Sequence, residues 1–215
     1  MKELRAYRFE IVLGTLIFLV LGPLMATILG VDIRFLNLFG LSLLSLASLI
    51  MAIRKVPRLF TGILGFLTLL LVWSEFLYSN EPTISKLRMW SMLGLYSSLA
   101  YLLVRNFLDT PEVSPRMISG AVSGFILIGF LGGVLFELLN SFQEGAFLIK
   151  SNSGGYDLYY YSFISMMTVG YGDIIPLSGA AKSLTVILSL SGQLYMTIGI
   201  ASFVGKYLNS FSKTT

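Results

Sequence analysis

The chain reads as an all-α membrane protein with six transmembrane helices and one re-entrant helix, and three observations carry that reading. Apolar residues fill 55% of the 215 positions against 12% charged, and mean hydropathy is +0.82, too apolar for a soluble domain of this length. Six apolar runs reach the roughly 20 residues that a helix needs to cross a bilayer. A seventh is too short to cross.

The six runs lie at about 9 to 30, 35 to 53, 59 to 78, 87 to 105, 117 to 139 and 180 to 207. Turn-forming residues separate them: Gly30-Val31-Asp32, Lys55-Val56-Pro57, Asn80-Glu81-Pro82 and Asp109-Thr110-Pro111. The first run follows the basic Met1 to Arg8 segment, as a secretory signal would. It is longer than a signal core and lacks a small-x-small cleavage site, so it reads as a retained anchor, bent or broken at Pro23. The short segment Tyr156 to Met167 reads as a helix that enters the membrane and returns, which requires protein or a water cavity around its end.

Net charge is +4 and the isoelectric point about 9.3, yet the basic residues are spread over loops that flank apolar runs rather than gathered as a nucleic-acid surface. With the N-terminus inside, Lys2, Arg5, Arg8, Arg54, Lys55, Arg58, Arg105, Arg116, Lys206 and Lys213 face the cytoplasm, leaving Arg34, Lys86, Arg88, Lys150 and Lys182 outside. This bias favours a multi-pass protein of the plasma membrane with both termini cytoplasmic. Cysteine and histidine are absent, which removes disulfides, thiolate chemistry, Cys/His zinc sites and an imidazole switch. No nucleophile and base set can be assembled, so enzymatic function is not expected.

The re-entrant segment ends on Thr168-Val169-Gly170-Tyr171-Gly172-Asp173, preceded by an aromatic-rich helix and followed by Pro176 and a long apolar helix. This order resembles the pore of the tetrameric potassium channels over about the last hundred residues, in a six-transmembrane bacterial type without a charged voltage-sensor helix. The resemblance implies four copies whose Thr168, Val169, Gly170 and Tyr171 carbonyls, with the Thr168 hydroxyl, replace the hydration shell of K⁺. Gly170 and Gly172 supply the dihedrals that such a strand needs. Tyr171 favours K⁺ over Na⁺, since nonselective relatives often carry Asp there. Tyr160 and Tyr161 match aromatics that brace the filter, and Asp173 closes it. Tyr159 has the alternative of sitting in a lipid-interface belt.

Two positions depart from that pattern. Ile164 stands where some members carry a Glu that pairs with the filter Asp, and Met167 replaces a second Thr. Altered inactivation and cavity-side ion affinity are expected, with selectivity kept. Glu137 matches a Glu that bonds backbone behind the filter, or is an interfacial carboxylate. Gly192, 19 residues beyond Asp173, is a gating-hinge candidate, although close helix packing also selects Gly. Gln193 is placed to contact a neighbouring helix or cavity water.

The chain therefore divides into a four-helix module, 1–106, a cytoplasmic linker, 107–116, and a pore module, 117–215. The four-helix module resembles a voltage sensor in helix count alone: Met89 to Val104 holds no basic residue, and Glu10 and Glu75 sit near span ends. Weak or no voltage dependence is expected, because each charge crossing the field contributes about 2.3 kcal/mol per 100 mV. Gly40, Ser42, Ser45, Ala47 and Ser48, with Gly94, Ser97, Ser98 and Ala100, read as packing faces. Pro111 and Pro115 disfavour a long linker helix. The last span is followed by about eight residues, too few for a cytoplasmic ligand-binding domain.

The expected function is passive, K⁺-selective conduction by a homotetramer in contact with membrane lipids, with no cofactor beyond the permeant ion, no small-molecule substrate and no nucleic acid. A K⁺-uptake subunit would need four degenerate pore repeats rather than one. The alternative is a nonconducting accessory subunit that co-assembles with another channel.

Overall fold

A computed structural model describes residues 7–51, 55–77, 81–108, 115–150 and 156–212. Among these residues, seven helices cover the six apolar runs and the short segment: α1 (Arg8–Leu29), α2 (Ile33–Met51), α3 (Lys55–Leu77), α4 (Pro82–Leu108), α5 (Pro115–Phe142), α6 (Asp157–Met166) and α7 (Gly179–Ser212). Most of the linker, the N-terminal Lys2 and Arg5, Arg54, and Lys213 lie outside the described residues. Among the described residues four helices are long and apolar enough to cross a membrane: Arg8–Leu29, Ile33–Met51, Pro82–Arg105 and Ile118–Phe142. The apolar stretch described within α3, Leu59–Glu75, is shorter. At about 1.5 Å per residue, the 10 residues of α6 span only half of the hydrocarbon thickness.

Two compact units make up the chain. The first, Met1–Thr110 with Ser114–Gly124, is a bundle in which α1 packs on α2, α2 on α3 and α3 on α4, with α2 also meeting α4. The α1 to α2 turn is built from its residue types. Gly30 takes the left-handed φ of 64°, its N–H and that of Val31 return to the Ala26 carbonyl, and the Asp32 carboxylate accepts the Arg34 N–H at 2.8 Å. Pro23 does not end α1, which continues through it to Leu29.

Small residues bring the helices together as the composition suggests. Gly40, Ser45, Ala47 and Ser48 are buried on α2, and a Cβ at Gly40 would meet Leu19 and Phe18 of α1. On α4, Gly94 faces Leu64 of α3, but Ser97 is exposed and packs no neighbour's core. One polar cluster joins α3 to α4. Glu75 pairs with Arg88 and accepts the Ser85 hydroxyl at 2.7 Å. In sequence Arg88 reads only as an interfacial residue, because a pair that crosses between helices leaves no local pattern.

The second unit, Pro111–Val113 with Phe125–Thr215, holds the rest of α5, the helices α6 and α7, and a two-stranded antiparallel sheet. Strand β1 (Phe147–Ile149) pairs with β2 (Ile174–Pro176), Phe147 opposite Pro176 and Ile149 opposite Ile174. Its core gathers Phe136, Phe147, Leu158, Tyr161, Ile164, Met166, Ile174 and Leu188.

Candidate functional site

Three glycines of α5 let α6 lie against it. A Cβ at Gly129 would strike the Phe163 ring, one at Gly132 the Ser162 hydroxyl and Leu188, and one at Gly133 the Tyr159 ring. The spacing places all three on one helix face. Across this contact the fully buried Ser162 donates to the Gly129 carbonyl at 2.6 Å, and Phe130 meets Phe163 edge to face at 5.4 Å. The Tyr159 hydroxyl donates to Glu137 Oε2 at 3.1 Å. Tyr159 is thus buried within the unit rather than set at a surface belt, and Glu137 is an acceptor for α6.

Tyr161 anchors the other side of α6. Its ring packs on Phe136 and Phe147, and its hydroxyl lies 3.0 Å from Thr185 Oγ1. Since Thr185 spends its own proton on the Ala181 carbonyl, Tyr161 is the donor. Tyr160 is only half-buried and its hydroxyl faces the Asp173 carboxylate, with Tyr171 close by.

The C-terminal carbonyls of α6 hold the segment that leaves it. Ile164 O accepts the N–H groups of Val169 at 2.8 Å and Gly170 at 3.3 Å, Ser165 O accepts Thr168 N–H at 3.1 Å, and Phe163 O accepts Met167 N–H at 2.9 Å. Orphan carbonyls at a helix end are thereby used to fix the next strand. Ile164 is buried, and its carbonyl is the strand's main tether.

From Thr168 the backbone takes the left-handed region at alternate positions: Thr168 φ 60°, Gly170 φ 53° and Gly172 φ 76°. A Cβ at either glycine would meet nothing within 4 Å, so the need for Gly is conformational rather than steric. Thr168, β-branched, stores strain of about 1 to 2 kcal/mol there. Residues Met167 to Asp173 are all exposed, with Tyr171 73% exposed. Its side chain is thus little covered by the described residues of its own chain. The strand ends where Asp173 Oδ1 accepts the Ile174 N–H at 3.1 Å and β2 joins β1, while Leu177 N–H reaches the Ala146 carbonyl at 2.8 Å.

Helix α7 supports this strand from behind. Ser189 Oγ donates to Ser165 O at 3.2 Å and Gln193 Nε2 to Met166 O at 3.4 Å. A Cβ at Gly192 would collide with Met166, whose carbonyl oxygen lies 3.1 Å from that point. Gly192 therefore sits at a close contact within helical α7.

The residues singled out by sequence, Thr168 to Asp173, Tyr160, Tyr161, Glu137 and Gly192, all lie on α6, its strand, or the faces of α5 and α7 turned to them. Gly129, Gly132, Gly133, Ser162 and Thr185 emerge only from the structure, while Ser189 is legible in sequence only as a small residue near Gly192. The Gly-x-x-Gly-Gly spacing on α5 was the available signal, since small residues three and four apart mark a close helix approach.

A family model described as an ion channel matches residues 123–209. No curated protein and no solved structure matches the chain. The matched residues run from α5 through β1, α6 and the exposed strand to α7, so this region is similar to an ion-channel domain, and the match is not to an enzyme family. Together with the long apolar helices, the match supports a membrane protein with a role in ion transport.

Proposed function

We propose that the chain forms a homotetrameric, K⁺-selective channel in which the Thr168 to Gly172 strands of four copies surround a single axis. One observation carries this reading: alternate left-handed residues in a strand tethered by its N–H groups to Ile164 O, whose amide side is thus engaged with α6. A dehydrated K⁺ needs a ring of oxygens, and one strand provides only one side of it. Thr168, Val169, Gly170 and Tyr171 are the proposed ion-binding residues, with Asp173, Tyr160 and Tyr161 in support.

Assembly has a physical motive. Tyr171 is exposed, and α7 presents uncovered Val186, Ile187, Leu190, Leu194 and Ile198. Because α7 lies in the membrane, these side chains leave lipid rather than water, so the gain on assembly is close packing against sister subunits rather than a water-to-apolar transfer. In this arrangement α1 to α5 and α7 cross the plasma membrane six times with both termini cytoplasmic, and α6 with its negative C-terminal end points toward the ion path. Conduction requires no cofactor.

Voltage dependence is weak in this proposal. The apolar stretch of α4 carries no basic residue, and Arg88 near its start is already paired with Glu75. Thallium flux into proteoliposomes tests the function: rapid entry is expected with the natural chain and loss of entry with Gly170→Ala. Equal flux through both, or none through the natural chain, counts against it.

A further inference from the structure

Ser189, Gly192 and Gln193 lie on one face of α7, three and four residues apart, and all three converge on the last two carbonyls of α6. Ser165 O already accepts the Thr168 N–H, so the Ser189 hydroxyl is its second donor. For Met166 O, Gln193 Nε2 is the donor, and the absence of a side chain at Gly192 allows that approach. Met166 itself is fully buried, so its backbone cannot move away without repacking the core.

We infer that Ser189 and Gln193 are positioning residues for the strand's inner end, acting through Ser165 O and Met166 O. This rests on the K⁺-channel reading. The physical basis is the partial negative charge that collects on a helix C-terminus. Each donor from α7 neutralises part of it and fixes where the Thr168 turn begins. Without these donors, the partial negative charge on Ser165 O and Met166 O of each subunit is less neutralised at the inner end of the strand. Internal cations then bind there more tightly, while the tethers of Val169 and Gly170 to Ile164 O are untouched. Together the two contacts, both long, are worth about fivefold in an equilibrium constant.

The test uses the full chain reconstituted in planar bilayers, with Ba²⁺ as the probe. Ser189→Ala/Gln193→Met is expected to tighten block by internal Ba²⁺ about fivefold, to leave block by external Ba²⁺ unchanged, and to leave the K⁺ to Na⁺ reversal potential as in the natural chain. Ser189→Thr, which keeps the hydroxyl, is expected to behave as the natural chain does. A merely structural role moves assembly and all three readouts together. Should the double variant fail to assemble, Ser189→Ala alone becomes the deciding variant, with a smaller shift in the same direction.

Unchanged internal block with K⁺ selectivity intact overturns the inference and leaves the channel reading standing. A natural chain whose reversal potential ignores K⁺ overturns both.

Discussion

The four-helix unit and the unit around the exposed strand use hydroxyl groups in opposite ways. In the first, buried hydroxyls turn back on their own helix: Thr15 bonds Val12 O, Ser48 bonds Ser45 O, Thr68 bonds Leu64 O and Ser91 bonds Arg88 O. In the second, they cross between elements, Ser162 to α5, Ser189 to α6, and Tyr161 to Thr185 on α7. The division has exceptions: in the first unit buried Ser45 Oγ has no partner among the described residues and Ser85 reaches Glu75 across helices, and in the second Ser141 bonds within α5 and Thr185, Ser191 and Thr197 within α7. A hydroxyl that bonds a carbonyl three or four residues back merely hides its own polarity. One that crosses fixes the distance between two elements, which suits the ion-binding role proposed for the strand.

The largest test of this contrast is steric. Gly133→Leu drives a side chain into the Tyr159 ring, and an overpacking cost of about 3 kcal/mol or failure to assemble is expected in a thermal assay of detergent-solubilised protein. Next comes Ser162→Ala, which removes a fully buried bond between elements and should cost about 2 kcal/mol by the same assay.

Glu75→Gln breaks the pairing with Arg88 in the four-helix unit. Both side chains are partly solvated, so about 1 kcal/mol or less is expected, with conduction unchanged in flux assays. Smallest is Ser48→Ala, where a self-satisfied hydroxyl is removed and a change within about 0.5 kcal/mol is expected. If Ser48→Ala costs as much as Ser162→Ala, the distinction between the two units fails.

Helix placement was legible where an apolar run is closed by residues that cannot continue it, but Lys55-Val56-Pro57, read in sequence as a turn, forms the first residues of α3, since Pro is tolerated in a helix's first turn. Pro82 and Pro115 begin α4 and α5, where a missing N–H costs nothing, and Gly30 ends the α1 turn. The strand Thr168 to Gly172 was singled out through the resemblance of its motif to a potassium-channel filter, and only the need for Gly at 170 and 172 follows from residue type. The illegible part depends on distance in space. The pairing of β1 with β2 lies across α6, and the run Phe147 to Ile149 is too short to carry an alternating pattern.

Glu137 is recognisable in sequence as a residue near the strand, but its partner is Tyr159, 22 positions away. Gly192 carries two readings in sequence, hinge and close packing, and its contact with Met166 supplies the packing role. No bend is needed to explain why Gly occupies the position.

The most direct test of the central claim is the reversal potential of purified, reconstituted protein under asymmetric K⁺ and Na⁺. The account predicts a value that tracks the K⁺ equilibrium potential as the gradient is varied, with little change in open probability across voltage. A reversal potential that is indifferent to the K⁺ gradient contradicts it.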